Sequence, residues 1–260
     1  MIGLFDSGIG GLTVVRAVQR LLPDYACLYF GDTARTPYGN KSPDVVTKYG
    51  LQAARFLIER GAKVLVVACN TVSAVGVEAI KQTWPDLPVF EVISPVINKI
   101  SQTAGLKLVG VMGTRATVNS GVYQSQLKQF KVRVVAAPAP LLVPLVEENW
   151  LTKPETKRIV KNYLQPFKQS QVQALILACT HYPLLKGLIE QRLGKRIKII
   201  DPAEETAQAL QRWLVDHPEF DQQLSRAASH YYVSDLTMHF KAVAEKWLGR
   251  KITLEQVDIE

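Results

Sequence analysis

The sequence predicts an α/β fold made of two pseudo-symmetric α/β domains with mainly parallel sheets, with a site in the cleft between them. Three observations carry that expectation. Short β-branched runs alternate with longer amphipathic stretches throughout the 260 residues. Several runs are apolar from end to end, such as Val64-Leu65-Val66-Val67-Ala68 and Ala174-Leu175-Ile176-Leu177-Ala178. Strands buried on both faces of a parallel sheet read this way. A weak internal repeat also relates the two halves of the chain.

In chain order, strands are expected over 1–6, 27–31, 63–68, 107–112, 132–136, 172–178, 196–200, 229–233 and 252–257. Between them, apolar residues recur at helical spacing over 12–21, 43–60, 72–82, 117–129, 154–168 and 184–193. The repeat has three matches in order. Ile2-Gly3-Leu4-Phe5-Asp6-Ser7 pairs with Val109-Gly110-Val111-Met112-Gly113-Thr114 at an offset of 107. The run at 27–31 pairs with 132–136. Ala68-Cys69-Asn70-Thr71 pairs with Ala178-Cys179-Thr180-His181 at an offset of 110. Two copies of one unit follow, the second over 96–204, with 205–260 returning to complete the first unit over 1–95.

Charge supports the division. The net charge is +8, but residues 96–200 hold 16 Lys/Arg against 4 Asp/Glu, and the rest of the chain is acidic. A basic segment invites an anionic partner, and nucleic acid is one candidate. Its basic residues are dispersed along helical stretches without a binding motif, so a solvated basic face is the better reading.

Other classes fall away on composition. A chain with 47% hydrophobic and 21% charged residues is not disordered. Met1-Ile2-Gly3-Leu4-Phe5-Asp6 lacks the basic and apolar regions of a secretory signal. No apolar run approaches the roughly 18 residues a membrane span needs. Three cysteines, Cys27, Cys69 and Cys179, are too few and odd for a disulfide scaffold and suit a reducing cytoplasm.

The chemistry concentrates at strand ends. Asp6-Ser7-Gly8-Ile9-Gly10-Gly11 follows a strand and opens a helix, where loop N–H groups can surround an anion. It is not a dinucleotide fingerprint, because Thr13 stands where the third glycine belongs. Taken alone, such a turn is more often only a tight turn, and Asp6 could equally cap the following helix. A lone Cys ending an apolar strand is usually inert. Cys69 and Cys179 differ because they occupy equivalent positions of two repeats, and if the two units face each other both thiols reach one cleft from opposite sides.

Two opposed thiols admit three chemistries. A redox pair lacks the C-x-x-C neighbour, and Cys69, Cys179 and His181 lack the paired spacings of zinc sites. Inversion of a carbon centre needs a base on one face and an acid on the other, which a symmetric pair supplies. His181 can move a proton beside Cys179, and Asp6 is the counterpart beside Cys69. His217, His230 and His239 lack such a context and are expected to be structural or at the surface.

Five segments then resemble the glutamate racemases of the aspartate/glutamate racemase family. They are Phe5-Asp6-Ser7-Gly8-Ile9-Gly10-Gly11, Gly31-Asp32-Thr33-Ala34-Arg35-Thr36-Pro37-Tyr38-Gly39, Ala68-Cys69-Asn70-Thr71, Leu145-Val146-Glu147 and Ala178-Cys179-Thr180-His181-Tyr182-Pro183. The resemblance runs in order from residue 2 to about 206, and no motif position departs from it.

It implies cofactor-independent and metal-free interconversion of L- and D-glutamate in the cytoplasm, supplying D-glutamate for bacterial peptidoglycan. It implies that Cys69 deprotonates D-glutamate with help from Asp6, and that Cys179 deprotonates L-glutamate with help from His181. Ser7, Pro37, Tyr38, Gly39, Asn70, Thr71, Thr114, Thr117, Thr180, His181 and Asp6 match substrate-binding positions. Asp32 and Glu147 match supporting ones. A homodimer is a further implication, as is independence from a cell-wall-precursor activator, because the first strand starts almost at residue 1. Racemisation of aspartate and a Cys69–Cys179 thiol switch stay as alternatives.

Overall fold

The computed structural model describes residues 1–259, apart from the side chain of residue 239. The expectation for His239 therefore lies outside what is described. The chain starts with β1 (Ile2–Asp6), α1 (Leu12–Leu21), β2 (Cys27–Gly31), α2 (Pro43–Glu59), β3 (Val64–Val67), α3 (Asn70–Val75), α4 (Val77–Thr83), β4 (Val89–Glu91) and α5 (Ser94–Ser101). It continues with β5 (Leu108–Gly113), α6 (Arg115–Asn119), α7 (Val122–Lys128), β6 (Arg133–Pro138), α8 (Leu142–Glu147), α9 (Pro154–Tyr163), α10 (Gln165–Gln169), β7 (Ala174–Ala178), α11 (Lys186–Leu193) and β8 (Lys198–Ile200). It closes with α12 (Pro202–Asp216), α13 (Pro218–Asp221), β9 (His230–Val233), α14 (Met238–Leu248) and β10 (Leu254–Gln256).

The strands form two sheets, all of whose pairings are parallel. One has the order β10-β9-β2-β1-β3-β4 and the other β6-β5-β7-β8. The run β2-β1-β3-β4 has the same topology as β6-β5-β7-β8, so the sequence repeat is also a repeat of strand order. β1, β2, β3 and β7 are buried along their whole length, as their continuous apolar runs require. Parallel pairing brings all strand carboxyl ends of a sheet to one side, and ligands of open α/β sheets bind there.

All nine expected strands form, and a tenth, β4, is added. β4 has only three residues between Pro88 and the turn at Val92, too few for a periodicity to register. Three long helix expectations are corrected. The helix over 72–82 starts earlier, at Asn70, and breaks at Gly76 into α3 and α4. The helix over 117–129 divides into α6 and α7 at Gly121, whose φ of 68° a side-chain-bearing residue rarely adopts. The helix over 154–168 divides into α9 and α10, where Pro166 cannot donate a helical hydrogen bond. The stretch over 184–193 opens on a 3-10 turn, Tyr182–Leu185. Helices α5, α8, α12, α13 and α14 go beyond the expectations.

The chain passes to the second sheet through α5 and returns through α12. Each crossing carries a carboxylate at its helix start. Glu91 accepts from the N–H groups of Ile93 and Ser94, the latter at 2.7 Å. Asp201 accepts from the Ala203 N–H at 3.0 Å. Among the described residues, no helix is long and apolar enough to cross a membrane.

Candidate active site

Cys69 lies two residues past the end of β3 and Cys179 directly follows β7, the equivalent strands of the two sheets. Both are nearly buried, and both line one cavity between the sheets. Ser7 from the β1 loop, Pro37, Tyr38 and Gly39 from the β2 loop, and Asn70 and Thr71 from α3 line its first side. Thr114 after β5 and Thr180 and His181 after β7 line the other. The space open to the centre of a water-sized sphere is about 20 Å³. The cavity is therefore narrow.

On the Cys69 side, Asp6 is fully buried behind the wall rather than in it. Its Oδ2 accepts from the N–H groups of Gly8 at 3.1 Å and Gly11 at 3.0 Å. Its Oδ1 accepts from the Thr180 hydroxyl at 3.3 Å. Asp6 thus braces the turn, and the helix cap at Gly11 uses no side chain. The turn needs its glycines. A Cβ on Gly10 would lie 2.3 Å from Thr180 Oγ1 and 2.5 Å from His181 Nδ1. Burial raises the Asp6 carboxyl, while the His181 charge and the loop N–H groups pull it back. Burial, and then the Asp6 charge, push the Cys69 thiol up to about 12, against hydrogen bonds from Val72 and Ser7. In this state Cys69 holds its proton.

The Cys179 side is built differently. His181 Nδ1 lies 3.7 Å from Cys179 Sγ and 3.5 Å from Thr180 Oγ1. Its Nε2 lies 3.1 Å from Glu147 Oε1. Burial works against charge on the ring, but hydrogen bonds to Cys179 and Glu147 outweigh it and push His181 up to about 10. An imidazolium therefore stands beside the Cys179 sulfur at neutral pH. Trp247 of α14 meets the ring edge-on, with centroids 6.2 Å apart.

The remaining candidates form the supporting frame. Asp32 is fully buried and lies outside the lining. It accepts from the Tyr38 hydroxyl, from Arg35 Nε at 2.7 Å and from the Ser234 hydroxyl at 2.8 Å. The hydroxyls of Thr71 and Thr114 lie 3.0 Å apart, as do those of Thr114 and Thr117. This chain of hydroxyls runs from one lobe to the other, with Thr117 behind Thr114. Asn70 Oδ1 accepts from the Tyr123 hydroxyl at 3.3 Å. Glu147 reaches the site through His181. His217 stacks on Trp213 at 4.3 Å and His230 is exposed, both away from the cavity.

Thr36 and Val143 also line the cavity, and neither was singled out from the sequence. Thr36 lies inside the quoted Asp32–Gly39 segment, where a polar residue beside Pro37 was the available signal. Val143 comes from α8, where only the Leu145-Val146-Glu147 segment nearby was a cue, and Trp247 from α14, which carried none. All three cysteines are free thiols. Among the described residues, no group of three or more His, Cys, Asp or Glu is arranged to hold a metal ion.

Comparison with known proteins shows the family. The sequence profile of the Asp/Glu/hydantoin racemase family matches residues 12–210. A glutamate racemase from Geobacter metallireducens is 42% identical, over 100% of this chain and 97% of its own length. The crystal structure of the Francisella tularensis glutamate racemase in complex with D-glutamate superposes with a TM-score of 0.91. That match has 35% identity and covers 100% of this chain and 97% of that one. A Bacillus anthracis glutamate racemase isoform gives a TM-score of 0.92 at 34% identity, with the same coverage. An amino-acid isomerase with two cysteines at equivalent strand ends, this chain belongs to the glutamate racemases of the Asp/Glu/hydantoin racemase family.

Proposed function

We propose that the chain interconverts L- and D-glutamate with its own two thiols as paired acid and base, and without a cofactor. The observation that carries this is the placing of Cys69 and Cys179 at equivalent ends of two sheets of like strand order, on one cavity. For L-glutamate, Cys179 takes the α-proton and Cys69, which holds its own proton, delivers one to the opposite face. For D-glutamate the roles reverse. The His181 imidazolium beside Cys179 offers positive charge where carbanion charge develops and a proton store for the sulfur. Asp6 serves the Cys69 side through the turn it braces.

The substrate's two carboxylates are met by hydroxyl and amide groups of Ser7, Asn70, Thr71, Thr114, Thr180 and the Pro37-Tyr38-Gly39 turn, with Thr117 behind Thr114. Since both thiols are buried at a narrow cavity, the lobes part for entry and close for reaction. The division into 1–95 with 205–260, and 96–204, makes the crossings near Glu91 and Asp201 the hinge. The product D-glutamate would serve peptidoglycan synthesis in the cytoplasm, and the working unit would be a homodimer. The full-length relatives named glutamate racemase support the choice of substrate.

The test is turnover of L- and D-glutamate, and of aspartate, by the purified protein without added cofactor, followed by polarimetry. Cys69→Ala and Cys179→Ala should each lower racemisation about a thousandfold, the scale of acid–base catalysis, with unchanged far-ultraviolet dichroism. Full activity in either variant removes the two-thiol assignment. Faster turnover of aspartate moves the assignment to that acid.

A further inference from the structure

We infer that the Thr36 hydroxyl is a substrate-binding group, donating a hydrogen bond to a carboxylate oxygen of the amino acid held in the cleft. The inference rests on the function proposed above. Thr36 lines the cavity, and its Oγ1 is buried without a hydrogen-bond partner. The other hydroxyls of the wall have protein partners while no substrate is bound. Thr71 meets Thr114, Thr180 donates to Asp6, Tyr38 donates to Asp32, and Ser7 bonds to Cys69.

A buried hydroxyl without an acceptor is costly, and valine would fill the same space without that cost. The group is also held in place. Arg35 and Tyr38, on either side of the Thr36-Pro37 step, both bond to Asp32. A Cβ built on Gly8 would lie 3.2 Å from Thr36 Oγ1 and 3.8 Å from Glu147 Oε1. The hydroxyl therefore stands over the Gly8 backbone, toward the Glu147–His181 side, fixed before a ligand arrives. The Glu147 carboxylate already faces His181. A substrate carboxylate would bring Thr36 Oγ1 the acceptor that it has not found in this structure.

The test compares Thr36→Val with Thr36→Ser in steady-state racemisation of both enantiomers. Loss of a hydrogen bond to a charged group should raise KM about tenfold for L- and D-glutamate in Thr36→Val. Because the bond is present in ground and transition states alike, kcat stays within about twofold. Thr36→Ser keeps the hydroxyl and should restore KM. If Thr36→Val fails to fold, Thr36→Ala replaces it against the same serine variant. Unchanged KM in the valine or alanine variant overturns the inference. So does a serine variant as impaired as the valine one, since packing of the methyl group would then be the cause. Wild-type protein that does not racemise glutamate overturns the proposed function instead, which separates the two failures.

Discussion

The two sides of the cavity share an origin in the repeat, yet they hold their thiols in different electrostatic surroundings. Cys69 has a buried carboxylate behind it and keeps its proton up to about 12. Cys179 has an imidazolium beside it, kept charged up to about 10 with Glu147 behind. Equivalent backbone positions thus carry unlike helpers, Asp6 from β1 and His181 from the turn after β7. Strand order places the sulfurs, and unlike residues at matched positions of the repeat, Asp6 against Gly113 and His181 against Thr71, decide where protons rest. The resting arrangement has an acid on one face and a positively charged partner beside the other sulfur, which under the proposed assignment of faces suits deprotonation of L-glutamate first.

The strongest way to break this comparison is to remove one thiol and watch the other. In heavy water, Cys69→Ala should still exchange the α-proton of L-glutamate, and Cys179→Ala that of D-glutamate, while racemisation falls about a thousandfold in both. Exchange of the wrong enantiomer by either variant, read by proton NMR, would reverse the assignment of faces.

A smaller effect tests the Cys179 helper. Glu147→Gln should lower kcat/KM roughly a hundredfold. The loss must be equal for the two enantiomers, because a racemisation has an equilibrium constant of one. The asymmetry appears instead in the α-deuterium isotope effect, which should grow more for L- than for D-glutamate. The variant should also move His181 down from about 10, so the alkaline limb of the pH–rate profile shifts to lower pH. The sign for stability agrees with that. A histidine raised in the folded state stabilises fully below its unfolded pKa near 6.5 and loses this as pH rises through about 10. The variant should therefore melt lower than wild type at pH 6 and nearly match it above pH 10. An unmoved alkaline limb would show that Glu147 does not hold the proton on His181.

The smallest change sharpens the Cys69 side. Asp6→Asn removes a charge that raises Cys69 but leaves burial in place. The thiolate should form at lower pH, though still above an exposed cysteine. The pH dependence of Cys69 alkylation, mapped by mass spectrometry, reads this directly. An unchanged profile would leave burial as the whole cause.

Much of this was legible because it is local. Val64–Ala68 and Ala174–Ala178 announce buried parallel strands by composition alone. Each cysteine sits one residue past a strand-ending alanine, so the strand prediction also placed the thiols. Asp6, Asp32, Thr117 and Glu147 were legible as candidates, but not their position behind the wall, which depends on contacts across the cleft. Helix breaks at Gly76 and Gly121 escaped because amphipathic spacing continues across them. Thr36 escaped because its one distinguishing property, a buried hydroxyl without a partner, exists only in three dimensions.

The sequence by itself determined the two-unit α/β plan, the parallel strands and the pair of thiols, since hydrophobic period and repeat are properties of neighbouring residues. Only the tertiary structure decided the chemistry of each thiol. The field at a sulfur is set by groups far apart in the chain, such as Glu147 against His181 and Asp6 against Thr180. Burial, which raises Cys69 most, is a property of the packed lobes and of no segment alone.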